Sequence, residues 1–167
     1  MVPPNGPQLH NVEIMTTIDT VPAPARRMDL RRLSPQWYRA MAALDQAASE
    51  GLDPALAELI KIRASQINGC AFCVDQHTRD ARDKGEQERR LYALSAWRET
   101  PFFTAKERAA LALTEAVTLL SVDHVPDDVY DEAALRFDED ELAQVLAMAI
   151  TINAWNRIGV TTRMSPS

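Results

Sequence analysis

The chain has 167 residues, of which 46% are hydrophobic and 25% charged, as is usual for one globular domain with a sizeable core. Its formal net charge of -6 disfavours nucleic acid as a partner, because a protein that neutralises phosphates needs a concentrated basic face. The sequence has no apolar stretch of the roughly 18 to 20 residues that a membrane span needs and no secretory signal pattern, so we expect a cytoplasmic protein.

The sequence predicts an all-α fold: a single-domain bundle of about six to seven helices at residues 26–162. Prolines prevent a helix in residues 1–25, and we interpret this segment as an N-terminal arm. We interpret residues 163–167 as a C-terminal tail. Capping residues, prolines and glycines set the predicted helix ends. The predicted helices cover residues 35–50, 54–68, 70–84, 86–97, 105–120, a segment that begins at Pro126, and 139–159.

The last predicted helix, which ends at Gly159, is apolar on almost all sides. Such a helix is either the central core helix of the domain or is covered by a partner subunit. We expect both, and therefore a homo-oligomer.

Two cysteines, Cys70 and Cys73, stand three residues apart at the start of a predicted helix. This spacing puts their sulfurs on one face within reach of a disulfide, and the helix N-terminus stabilises a thiolate in its first turn. His77 lies one turn after Cys73, where its imidazole can take part in removing the thiol proton. The pattern indicates redox chemistry or metal binding.

Glu58 belongs to the preceding helix. If Asn68 and Gly69 form a tight turn and the two helices pack antiparallel, the rise of about 1.5 Å per residue brings Glu58 near residues 77–80. A carboxylate there can orient the His77 imidazole and keep it basic. Alone, Glu58 would be read as a solvated helix charge paired to Lys61 or Arg63.

Zinc binding is an alternative, because Cys70, Cys73 and His77 offer three soft ligands. A fourth ligand would have to come from Glu58, His10 or His124. Structural zinc sites usually draw their ligands in two separated pairs, and this sequence has no second pair, so we expect no metal.

Residues 58–82 resemble the carboxymuconolactone decarboxylase superfamily, specifically its alkylhydroperoxidase-D-like branch. The signature is a Glu twelve residues before the first cysteine and a His four after the second, and the similarity continues in residues 94–100, 111–116 and 152–157. The resemblance implies an all-helical fold that assembles as trimers or hexamers and a peroxidase activity that cycles through a disulfide.

The resemblance also implies a role for each site residue. Cys73 attacks an organic hydroperoxide and becomes a sulfenic acid, and Cys70 resolves it to a disulfide. Glu58 and His77 form the proton relay, and a thiol or lipoyl-type dithiol is the reductant. Phe72 stands where the best-characterised members carry a second histidine, which weakens the inference to strong peroxidase activity.

Three functions therefore remain after the sequence is read. The first is the thiol-dependent peroxidase, and the second is a dithiol–disulfide oxidoreductase that acts on thiol substrates. The third is a non-catalytic oligomeric module that holds zinc at Cys70, Cys73 and His77. The decarboxylase reaction is disfavoured, because that branch generally lacks the redox pair.

Overall fold

The computed structural model describes residues 21–166, and this part of the chain is helical and contains no strand. The all-α prediction is confirmed. The helices are α1 (Leu30–Leu33), α2 (Pro35–Ser49), α3 (Pro54–Asn68), α4 (Ala71–Asp83), α5 (Glu88–Ala93), a 3-10 helix (Leu94–Glu99), α6 (Ala105–Thr118), α7 (Leu120–Asp123), α8 (Asp127–Arg136) and α9 (Glu139–Thr162). Most of the predicted arm at 1–25 lies outside the described residues. Between residues 21 and 166, none of these helices is both long enough and apolar enough to cross a bilayer.

Eight of these ten helices correspond to the seven predicted ones, because α5 and the 3-10 helix together occupy one predicted helix, and α1 and α7 are additional single turns. The predicted capping residues act as expected at the starts of α3 and α6, whereas Ser34 before α2 makes no side-chain capping hydrogen bond. The Asp53 side chain accepts a hydrogen bond from the Leu56 amide at 2.9 Å, with proline at the first helical position of α3. Thr104 and Glu107 form the predicted capping box of α6, and Asp138 and Glu141 form another at α9.

The predicted helix over 86–97 is wrong in its form, because it is split. Helix α5 ends at Ala93 and the chain tightens into the 3-10 helix, in which Ala96 departs from helical geometry. Side chains three apart share one side of a 3-10 helix, so Leu94 and Trp97 both enter the core, at 0% and 4% exposure. The Trp97 indole N–H donates to Glu115 at 2.7 Å, which fixes this tighter turn.

Helices α3 and α9 form the centre of the fold. Helix α9 packs against α2, α3 and α6 and also contacts α4 and α8, which confirms that it is a core helix. Ile150 and Val160 on α9 remain exposed, and the homo-oligomer stays a prediction. Helices α3 and α4 pack as the predicted antiparallel hairpin and bring their facing residues together.

The sequence predicts that the last helix ends at Gly159, and this prediction is wrong. Helix α9 continues to Thr162 and is closed by Arg163 in the left-handed conformation. Gly159 therefore does not end the helix, and it lies where α9 approaches the cysteine sulfurs.

Candidate active site

The turn between α3 and α4 places the two cysteines. Gly69 adopts the left-handed conformation, with φ 66°, and ends α3, and the Cys70 amide then donates to the Ser65 carbonyl at 3.0 Å. Cys70 is the N-terminal capping residue of α4 and Cys73 lies in its first turn. Both are buried and both are free thiols. The two thiols are therefore held at the positive end of a helix and away from bulk water.

Glu58 and His77 are brought together across the hairpin, at the position that the antiparallel geometry predicts. The distance between His77 Nδ1 and Glu58 Oε2 is 3.0 Å. Glu58 is only 1% exposed, and its other oxygen accepts from Lys84 Nζ at 2.5 Å and lies 3.6 Å from Lys61 Nζ. The buried carboxylate thus faces three basic side chains.

These basic neighbours keep Glu58 ionised. Burial alone would raise its pKa, but the hydrogen bonds from His77 and Lys84 and the charge of Lys61 outweigh burial and lower the pKa to about 2. An ionised carboxylate only accepts hydrogen bonds, so the imidazole proton resides on Nδ1. The Nε2 of a neutral His77 is then left with a free lone pair, as a general base requires.

The two sulfurs share a proton. A hydrogen bond from the Cys73 thiol lowers the pKa of Cys70 to about 7 against the opposing effect of burial, and the Cys73 backbone amide and Asn156 lower it further. The same contact with Cys70, together with burial and the negative charge on Cys70, raises the pKa of Cys73. Above about pH 7 the pair therefore carries one negative charge between its two sulfurs.

Asn156 on α9 is a site residue that the sequence analysis missed. It is 1% exposed, and its amide donates to the Ser65 hydroxyl at 2.9 Å and accepts from the Asn68 amide at 2.9 Å. Asn156 also lowers the pKa of both thiols, and Ser65 lowers that of Cys73. The available signal was an asparagine in the largely apolar second half of α9, where Thr151 and Asn153 are also buried, because a buried amide needs partners inside the protein.

Gly159 is the second missed residue, and it lies one turn after Asn156 on α9. A β-carbon at this position would lie 2.8 Å from Cys70 Sγ and 3.7 Å from Cys73 Sγ. The absence of a side chain allows α9 to approach the sulfur pair closely.

The Gly159→Ala variant tests this close approach through the sign of its effect on stability. Alanine favours a free helix position by about 1 kcal/mol relative to glycine, so an unconstrained site would become more stable. We expect the contact with Cys70 Sγ to reverse the sign and to lower the free energy of unfolding by about 1 to 3 kcal/mol in urea denaturation. A stabilised variant would show that the sulfur contact is not restrictive.

A cavity of about 230 Å³ lies beside Cys73 and His77. Cys73 and His77 both line it, whereas Cys70 lines a different cavity beside Gly159. The wall of the first cavity is completed by Tyr38, Asp45, Phe72, Gln76, Trp155 and Met164. A molecule that enters there meets the Cys73 sulfur and the His77 imidazole together.

The zinc alternative is not supported by the positions of its ligands. Within residues 21–166, the group of side chains close enough to hold a metal is Glu58, His77 and Asp80, without either sulfur. His124 is exposed and lines a separate cavity with Arg98 and Glu115, and His10 lies outside the described residues. The Glu58 carboxylate is moreover already neutralised by lysines, which disfavours a bound cation.

Comparisons with known proteins place the chain in a family. The model of the carboxymuconolactone decarboxylase family matches residues 35–116, which include Glu58, both cysteines and His77. The uncharacterized protein YdfG of Bacillus subtilis is 39% identical over 137 residues, which are 81% of this chain and 93% of YdfG. The chain belongs to the carboxymuconolactone decarboxylase family.

Solved structures relate this family member to proteins of the AhpD type. A protein of unknown function from Agrobacterium tumefaciens, proposed to be the antioxidant defence protein AhpD, superposes with a TM-score of 0.83. It is 38% identical, over 86% of this chain and 99% of that one. An uncharacterized peroxidase-related protein from Ralstonia eutropha, described as an alkylhydroperoxidase AhpD core, shares the fold at a TM-score of 0.72 and 20% identity, over 82% and 74% of the two chains.

Proposed function

We propose that the protein is a thiol-dependent peroxidase that reduces organic hydroperoxides at Cys73. Membership of the carboxymuconolactone decarboxylase family and similarity to AhpD-like proteins support a general alkylhydroperoxidase-like role. The observation that carries the finer proposal is that Cys73 and His77 line one cavity while His77 is hydrogen-bonded to the ionised Glu58. A nucleophile, a base and the group that orients the base thus lie beside a space for substrate.

The first half-reaction oxidises Cys73. Its thiolate attacks the terminal oxygen of the hydroperoxide, the O–O bond breaks, and Cys73 becomes a sulfenic acid. The departing alkoxide takes up a proton and leaves as an alcohol. The Glu58–His77 pair removes the thiol proton before the attack and returns one to the leaving oxygen.

The second half-reaction closes and reopens the disulfide. Cys70 attacks the sulfenic sulfur, and a water molecule leaves as the Cys70–Cys73 disulfide forms. A thiol or lipoyl-type dithiol then reduces the disulfide and is itself oxidised to a disulfide.

Cys73 is assigned as the attacking sulfur because of access. The resting charge favours Cys70, whose pKa is lowered, but Cys73 is the sulfur that lines the cavity with His77. His77 lines the same cavity and takes up the Cys73 proton when substrate is present, so that the negative charge develops on Cys73.

A steady-state assay tests the proposal directly. Purified protein is supplied with dihydrolipoamide and cumene hydroperoxide, and loss of hydroperoxide is followed in parallel with formation of cumyl alcohol. We expect one alcohol for each dithiol oxidised. If the protein consumes hydroperoxide no faster than the reaction without protein, the proposal is contradicted.

The rate of disulfide formation should rise with pH and then level off. Below the Cys70 pKa of about 7 both thiols hold their protons and attack is slow, whereas above it the pair carries a negative charge. Glu58, with its pKa of about 2, stays ionised over this range and adds no second transition. Stopped-flow single turnovers from about pH 5 to about pH 9 measure the profile.

The Asn156→Ala variant tests whether the midpoint of this pH profile follows the pKa of the thiols. Asn156 lowers the pKa of both thiols, so its removal should move the midpoint to higher pH. A rate that does not change with pH, or one that falls as pH rises, would contradict the assignment of the thiolate.

A dithiol–disulfide oxidoreductase is the second candidate, and the lowered pKa of Cys70 favours it. Such an enzyme would oxidise or reduce thiol substrates and meet peroxide only incidentally. Comparing the rate of oxidation of the reduced protein by cumene hydroperoxide with that by oxidised lipoamide separates the two functions. A higher rate with the disulfide would favour the second.

We also propose that the protein works as a homo-oligomer in the cytoplasm, a trimer or a hexamer, as the family resemblance implies. The exposed Ile150 and Val160 of α9 provide apolar surface for such contacts. Light scattering after size-exclusion chromatography measures the state, and a monomer at micromolar concentration would contradict it.

A further inference from the structure

The wall of the cavity beside Cys73 is mostly aromatic and includes one acidic side chain. Trp155 and Tyr38 contact each other edge to face, with ring centroids 5.2 Å apart, and Phe72 and Met164 complete the apolar surface. The volume of about 230 Å³ suits a molecule with one ring and a short branched group better than a long acyl chain.

Asp45 is the charged side chain of helix α2 that lines this cavity. Gln76 and His77 on α4 also line it, and among the described residues 21–166 no lysine or arginine contributes to the wall. Within residues 21–166 the Asp45 carboxylate has no salt-bridge partner. In the part of the chain that the structure describes, no cationic side chain therefore neutralises the negative charge of Asp45 at the cavity.

We propose that the cavity selects uncharged aromatic hydroperoxides and that Asp45 excludes hydroperoxides that carry a carboxylate. The proposal rests on the peroxidase function and specifies its substrate class. The aromatic wall favours a ring by burial of apolar surface, and a like charge in a partly desolvated cavity is repelled more strongly than in water. Anionic lipid hydroperoxides are thus poor substrates on grounds of both charge and length.

A matched pair of substrates tests the proposal. Cumene hydroperoxide and its para-carboxylate differ only in the charged group. We expect kcat/KM to be about tenfold higher for the uncharged compound at low ionic strength, and the difference to shrink as salt screens the carboxylates. Hydrogen peroxide, which lacks the ring, should also react at least about tenfold more slowly than cumene hydroperoxide.

The Asp45→Asn variant identifies the group responsible. It should bring the ratio between the two cumyl substrates down to about twofold. Asp131→Asn is the control, because Asp131 is exposed on α8, which does not line the cavity, and its replacement changes net charge equally. A wild-type ratio near one, or an unchanged ratio in Asp45→Asn, would overturn the proposal.

A binding measurement keeps this inference separate from the peroxidase function. If neither hydroperoxide is consumed, the proposed function fails, and protection of Cys73 from alkylation by iodoacetamide decides the inference instead. The product alcohol 2-phenyl-2-propanol should slow alkylation, whereas its para-carboxylate should do so only in Asp45→Asn. Equal protection by both compounds in the wild-type protein would overturn it.

Discussion

Replacement of Cys73 by serine is expected to lower hydroperoxide reduction by at least about 1,000-fold, as the loss of an enzyme's nucleophile usually does. A serine hydroxyl at this position keeps the size of the side chain but does not ionise near neutral pH. His77 can remove the proton of a thiol but not that of a hydroxyl to a comparable extent. The measurement is the rate of cumene hydroperoxide loss with excess dithiol.

The Cys70→Ser variant is the matched control, because it removes the other sulfur of the same pair. It should still react once with hydroperoxide and should then hold a sulfenic acid at Cys73, which dimedone traps and peptide mass mapping locates. Turnover that survives in Cys73→Ser, or dimedone found on Cys70 in the wild-type protein, would reverse the assignment of the two cysteines.

Glu58→Gln should have the second large effect, because the change acts on both stability and activity. Glu58 is buried, and its removal leaves the charge of Lys61, also buried, without its partner. Breaking a buried charge network on one side usually costs about 3 to 5 kcal/mol. Without the carboxylate, His77 also loses its orienting acceptor, and we expect a 10² to 10³-fold slower attack, roughly as for loss of a general base.

The pH dependence of stability gives Glu58→Gln a distinct signature. The folded-state pKa of Glu58, about 2, lies below the ordinary value of 4.5, so its contribution is present above pH 4.5 and is lost as pH falls towards 2. This shift corresponds to about 3 kcal/mol. In urea denaturation, Glu58→Gln should therefore differ most from the wild-type protein near pH 7 and least near pH 2.

Glu132→Gln is the control for this comparison. Glu132 is exposed and pairs with Arg136 one turn later on α8 at 2.7 Å. Exposed pairs of this kind contribute about 0.3 to 0.5 kcal/mol. A Glu58→Gln protein as stable as Glu132→Gln at pH 7 would show that the buried carboxylate is not a structural anchor.

The approach of Glu58 to His77 could be predicted from the sequence because it depends on local rules. Asn68 and Gly69 indicate a tight turn, and the helical rise then fixes which residues face each other across the hairpin. Of the two lysines beside the Glu58 carboxylate, only Lys61 could be predicted from the sequence. Lys61 follows from spacing along α3, but Lys84 lies at the far end of α4, and its long side chain can reach several positions.

The contribution of α9 could not be predicted in the same way. Asn156 and Ser65 are separated by 91 positions in the sequence, and no periodicity specifies which face of an apolar helix meets the sulfurs. A glycine such as Gly159 can mark either the end of a helix or a place where the helix backbone approaches another group closely. Only the packing against Cys70 Sγ shows that the second is the case here. The split of the predicted 86–97 helix likewise depends on Glu115, a distant partner of Trp97.

In the proposed function, the two free thiols, Cys70 and Cys73, form one redox unit that reacts with hydroperoxide. A titration of the reduced protein with cumene hydroperoxide, with thiol counting and peptide mapping after each addition, measures whether they do. We expect one equivalent of hydroperoxide to consume both thiols and to give the Cys70–Cys73 disulfide as the product. Thiols that survive an excess of hydroperoxide, with no such disulfide in the peptide map, would contradict the proposed function.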